Sequence, residues 1–337
     1  MWLWPFVLAV LALALSTGQA SSQTLEKVRE RGHLVCASSH ALPGFAEQLE
    51  NGLWAGFDVD ICRAVAAAVF GDPNLVQFRP LTGDARFAQL QTGELDLLVR
   101  DAAWNLTRDT SYRVRYVATS FFDGQGILVP QSLGAVSAYE LDGVKICVVD
   151  DSDELSRLRQ FFFENQASYS EVLYEDPADL AIAYKAGLCN AISARASLLH
   201  AIQIEMQDPG AQRIVPERIS KAPLGPVVRS DDDRWFDIVR WTLYALINAE
   251  ELGVTSVNVD SMLSARNPAI RRLLGLDGDF GKPLGLSQDW MQKVIRAVGN
   301  YGEIYDRNFG TRAGVPLLRG QNALWTKGGL MYAPPVR

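Results

Sequence analysis

Beyond residue 20 the sequence has no apolar run long enough for a membrane helix. It also lacks GxSxG, a Walker loop, HExxH and a dinucleotide fingerprint, which removes the usual sequence signs of hydrolase, nucleotide and zinc-peptidase chemistry. No CxxC pair and no Cys/His spacing suits a metal, so neither a metal nor another cofactor is expected. Histidine is scarce. Of the three, His33 starts a strand, His200 falls on a helix, and His40 sits at a strand end. The formal net charge is −7, and no Lys/Arg cluster carries interleaved aromatics, which argues against a nucleic-acid partner.

The first 20 residues are the exception to this polar economy. Leu3–Leu15 is apolar, Ser16, Thr17 and Gly18 follow, and Ala20 is a small residue suited to cleavage. This reads as an export leader, although no Lys or Arg precedes the apolar run; an uncleaved anchor is the alternative. No Cys lies near the cleavage region, which argues against a lipid anchor. Four cysteines in an oxidising compartment permit two disulfides and three pairings. Cys36 lies in a strand pattern and Cys62 in the next helix, while Cys147 and Cys189 both fall mid-chain. The favoured pairs are therefore Cys36–Cys62 and Cys147–Cys189, against four buried thiols.

Strand and helix patterns alternate over the first two thirds. Strands are expected at 33–38, 76–80, 95–99, 144–149 and 191–193, and helices at 58–70, 85–93, 152–165 and 177–187. This alternation implies βα units with mostly parallel sheets flanked by helices, an α/β fold. Asp58 and Asp60 in a first helical turn suit the helix dipole. Farther on, Trp235, Ile238, Val239, Trp241, Leu243, Leu246 and Ile247 form one core-facing helical stripe.

The segment Gly52–Ala66, GLWAGFDVDICRAVA, resembles the G-x-W-x-G-F-D-x-D-x-C-x-A-V-A signature of periplasmic binding proteins for polar amino acids, the receptors of ABC uptake systems. The likeness extends to Pro223–Gly253, Val298–Gly310 and Asn322–Arg337, and is nearest to the longer, broad-specificity branch. It implies a two-lobed type II periplasmic-binding-protein fold with two hinge crossings, at 122–129 and 220–228. Lobe 1 would take 25–125 plus 226–337, lobe 2 would take 126–225, and Trp325, Met331 and Tyr332 would pack the tail onto lobe 1. It further implies a periplasmic, monomeric receptor that is not an enzyme, whose partners are a small ligand and a membrane permease.

The same likeness assigns a site. Its carboxylate-binding arginine corresponds to Arg108 in RDAAWNLTR, with Ala103 and Asn105 at upstream hydroxyl positions. Arg100 and Trp104 match the longer branch, and Trp104 and Phe45 are the expected aromatic walls. The second wall departs from the pattern. A Ser/Gly/Thr-rich loop is replaced by Val149–Glu154, acidic and without Gly, where Asp151 and Ser152 are the candidate contacts. Arg195 stands where an ammonium-binding Asp belongs. Two like charges about 4 Å apart at an effective dielectric near 20 repel by roughly 4 kcal/mol, about three orders of magnitude in affinity. An ordinary α-amino acid is therefore expected to bind poorly in the usual pose.

Three outcomes follow. In the first, the receptor has a changed ligand: either Arg108 and Arg195 together clamp a dianion such as a dicarboxylate, or the acidic loop takes over the ammonium. Alternatively Arg195 pairs with Asp150, Asp151, Asp153 or Glu154 and the protein is an empty scaffold or sensor. The third is a periplasmic dehydratase-like enzyme with Glu154 or Asp151 as general acid.

Overall fold

The computed structural model describes residues 24–38, 41–81, 85–99, 103–310 and 315–337. The leader, His40 and Arg100 lie outside the described residues. Among those described, no helix is long and apolar enough to cross a membrane.

Two five-stranded sheets organise the chain. The first runs in the order Val76–Pro80, Leu34–Ser38, Leu97–Leu98, Val227–Arg229, Val114–Tyr116. The second runs Tyr169–Tyr174, Val144–Val149, Ala191–Arg195, Gln125–Pro130, Gln212–Ile214. In each, three strands are parallel and the last two pairings are antiparallel. The sheets are thus mixed rather than mostly parallel, because strands beside the crossings run back along the edge of each βα core. The crossings themselves pair as a short antiparallel ribbon, Phe121–Asp123 with Ala222–Leu224.

Helix Phe57–Phe70 is the most deeply set element of the first sheet's layer. Gly56 precedes it at φ 132°, and a Cβ there would lie 2.1 Å from Phe45 O, so glycine is required. Gly71 ends it in the left-handed conformation, with its N–H on Ala67 O. The helix packs against Asp233–Glu251 and Trp290–Val298, and 11 of its residues are buried, including Asp58 and Asp60. Asp60 does more than suit the dipole. Its Oδ2 accepts from Arg307 Nη2 at 2.8 Å and Asn308 Nδ2 at 2.8 Å, which compensates the buried charge. Trp235 donates its indole N–H to Asp96 O at 2.8 Å, joining the long helix to the sheet.

The second sheet carries its own apolar layers. Ile127, Ile146, Val148, Leu158 and Phe162 fill one face, and Leu128, Cys147, Leu180, Ile192 and Leu199 fill the other. Helix Asp153–Glu164 covers the former and Pro177–Lys185 the latter. The tail is only partly buried. Met331 is 1% exposed, but Trp325 and Tyr332 are 50% and 61% exposed. Those two rings meet edge to face at 5.6 Å on the surface, where the Trp325 indole donates to Glu251 at 3.1 Å.

Cys36–Cys62 and Cys147–Cys189 are bonded, with Cα separations of 6.3 Å and 5.7 Å. The first joins a strand to the helix packed on it, and the second joins strand Val144–Val149 to the turn that follows helix Pro177–Lys185. The second closes the longer loop, with a sequence separation of 42 against 26. Replacing Cys147 and Cys189 with serine is expected to lower stability by about 2–4 kcal/mol in urea unfolding, slightly more than the same change at Cys36 and Cys62. An unchanged midpoint would show that neither bond constrains the unfolded chain.

Candidate functional site

Between the two sheets lies a cleft of about 580 Å³. One wall comes from elements of the first sheet: Arg86 on helix Ala85–Thr92, and Ala103, Trp104, Asn105 and Arg108 around helix Leu106–Ser111. The opposite wall comes from Gln125, Asp153, Glu154, Arg157 and Arg195, with Ser220–Ala222 at the crossing. Of the described side chains lining it, five are basic (Arg86, Arg108, Arg157, Arg195, Lys221) and two are acidic (Asp153, Glu154).

The first wall is built locally. Asn105 is the N-cap of its short helix, its Oδ1 accepting from Arg108 N at 2.9 Å. Arg108 Nη1 donates to Ala103 O at 3.0 Å, and Tyr116 O–H donates to the same carbonyl at 3.2 Å. No carboxylate pairs with Arg108 among the described residues, so this guanidinium keeps donors for a ligand. Trp104 lies flat on Tyr116, centroids 5.4 Å apart and planes within 4°, and it remains 37% exposed. Its backbone N–H binds Pro223 O at 2.8 Å, tying this wall to the crossing.

The second wall turns on Ser152 and Gln125. The Ser152 hydroxyl accepts from Leu155 N at 3.0 Å and so starts the helix that presents Asp153, Glu154 and Arg157 to the cleft. Gln125 is 1% exposed; its Nε2 donates to Glu154 O at 2.7 Å and Ser193 Oγ at 2.9 Å. Its Oε1 has no hydrogen-bond partner among the described residues. Arg195 pairs in register with Gln125 at the end of its strand, so the two stand side by side on the wall.

Ala103, Trp104, Asn105, Arg108 and Arg195 therefore meet in one cleft, and Phe45, Asp151 and Ser152 do not line it. Phe45 is 1% exposed, its ring 5.0 Å from Phe121 and 4.8 Å from Phe309 in an aromatic cluster. Asp151 occupies an exposed turn at φ 47°, one step before the helix turns its acids inward. Arg86, Gln125, Arg157 and Lys221 were not expected; nothing in their local sequence marks them, since only the packing of the two sheets brings them together. Among the described residues no group of three or more His, Cys, Asp or Glu could hold a metal ion.

A cleft between two α/β sheets joined by paired crossings, lined by charged side chains from both walls, is the architecture of a receptor that encloses a small solute. The chain belongs to the bacterial extracellular solute-binding proteins, family 3, whose model matches residues 34–256. It is 47% identical over 98% of both chains to the glutamate/glutamine/aspartate/asparagine-binding protein BztA of Rhodobacter capsulatus. It is 46% identical to the general L-amino acid-binding periplasmic protein AapJ of Rhizobium johnstonii, over 96% of each. Among solved structures, a periplasmic binding protein of an ABC transporter from Brucella ovis with glutathione bound superposes with a TM-score of 0.83. It is 43% identical and covers 93% of this chain and 99% of its own. The family and these relatives are solute-binding proteins rather than enzymes, which leaves the dehydratase-like reading without support.

Asn105→Ala is expected to lose about 1 kcal/mol of stability through the cap, while Asn105→Ser keeps it. Urea unfolding of both variants checks this, and equal midpoints for the two would remove the capping role.

Proposed function

We propose that this protein is the periplasmic ligand-binding component of an amino-acid ABC uptake system, and that its preferred ligand carries two carboxylates and one ammonium. In this reading residues 25–125 with 226–337 form one lobe and 126–225 the other. Ligand bridges them, and the closed form is what a membrane permease reads. The leader delivers the chain to the periplasm.

The observation that carries the ligand assignment is the placing of guanidinium groups on both walls of one cleft with two carboxylates beside them. Arg108 takes the α-carboxylate and Arg195 the distal one, since planar guanidinium suits carboxylate geometry. Asp153 and Glu154 take the ammonium, which offsets the inverted charge at Arg195. Ala103, Trp104 and Asn105 shape the first wall. The relative named for binding glutamate, glutamine, aspartate and asparagine, and the one with glutathione bound, include ligands of this chemistry among those they take. Glutathione is itself a γ-glutamyl peptide with two carboxylates.

The test is thermal unfolding of ligand-stripped mature protein with L-glutamate, L-aspartate, glutathione, L-glutamine and L-leucine. A ligand at a hundred times its dissociation constant adds about 2.7 kcal/mol. The ligands with two carboxylates are expected to stabilise most. Arg195→Ala should weaken L-glutamate binding by roughly 10- to 100-fold and L-glutamine binding less. Equal stabilisation by L-leucine and L-glutamate would overturn the dicarboxylate assignment, and no response to any would overturn the receptor reading.

A further inference from the structure

We propose that residues 315–322, which lie beyond the family match at 34–256, are a strap across the back of the hinge that opposes closure, and that His200 and Asn322 are the positioning residues through which it sets ligand affinity. The inference rests on the two-lobed reading above.

The strap is anchored firmly on the first sheet's side. Arg319 is held by Glu250 at 2.7 and 3.0 Å and donates to Asn322 O at 2.8 Å. The Tyr305 hydroxyl reaches Leu317 O and Leu318 O at 3.4 and 3.3 Å. From there two contacts leave for the moving parts. Asn322 brackets the crossing, its Oδ1 accepting from Phe122 N at 2.6 Å and its Nδ2 donating to Phe122 O at 3.0 Å. His200, on helix Ala196–Ile204 of the second sheet's layer, is 3% exposed with its Nε2 2.8 Å from Val315 O. A carbonyl only accepts, so Nε2 carries the proton.

A second cavity, of about 280 Å³, lies under this strap. Asp123, Ala196 and Arg218 line it together with Leu317–Asn322. The ligand cleft is lined by close neighbours on the same three segments, Gln125, Arg195 and Ser220. The described linings share no residue, so the segments carrying both crossings separate the two spaces. Rotation that narrows the cleft in front must therefore draw Ala196 and Arg218 away from the strap behind. That motion works against the His200–Val315 bond, which joins the two lobes, and twists the crossing that Asn322 holds at Phe122, leaving buried polar groups without partners. Because apparent affinity scales with the population of the binding-competent form, strap bonds that favour the open form weaken binding.

The experiment compares wild type with Asn322→Leu, His200→Phe and the double variant, using L-glutamate and glutathione as probes and thermal unfolding to verify folding. Each single variant is expected to bind roughly three- to tenfold more tightly, the double variant more still. His200→Gln, which retains a donor, should return affinity toward wild type. Small-angle scattering of the ligand-free double variant should give a smaller radius of gyration than wild type. Folded variants whose affinity and ligand-free radius equal those of wild type, or that bind more weakly, would overturn the strap. Should neither probe bind wild type, the ligand reading fails by itself, and the ligand-free scattering still decides the strap. If Asn322→Leu does not fold, Asn322→Asp, which keeps the acceptor for Phe122 N–H and loses the donor, replaces it.

Discussion

The two crossings pass each other so closely at Gly124 that a Cβ there would lie 2.5 Å from Ser220 O. This close approach aligns everything that faces the cleft. Gln125 N–H binds the Ser220 hydroxyl at 3.0 Å, and Ala103 bridges Leu224. Both walls are thereby fastened to the same crossing, at Ser220 and Leu224. The charged residues of the two walls face one cleft because this ribbon joins the two sheets.

Electrostatics then determines what such a cleft can hold. A charged ligand leaves water on entry, and each charge must find a partner inside or the complex fails. Arg108 has a backbone carbonyl but no described carboxylate as partner, while Asp153 and Glu154 stand on the opposite wall. Gln125 adds a buried acceptor without a described partner, an arrangement that costs about 1–3 kcal/mol when a polar group is left unsatisfied.

Much of the fold was legible in the chain. Val76–Pro80 and Val144–Val149 carry β patterns matching their observed limits, and the helix after Gly56 is announced by its apolar periodicity and stopped by Gly71. The cleft position of Arg108 was expected from a motif, since an arginine next to Asp109 carries no local mark of a cleft. Phe45 was misjudged because an aromatic after glycine reads the same on a pocket wall and in an aromatic core. Asp151 falls just before the helix: Ser152 starts it, and the residues that line the cleft come after. Arg86, Gln125 and Lys221 were invisible because they come together through long-range packing, which no local periodicity encodes. The bonds of Asn322 and His200 likewise span 200 and 115 positions of sequence.

The most direct measurement is a crystal structure of the mature protein grown with L-glutamate. The account predicts one carboxylate on Arg108, the other on Arg195, and the ammonium against Asp153 or Glu154. A ligand held by Arg108 with its ammonium elsewhere and Arg195 turned away from its distal carboxylate would contradict it.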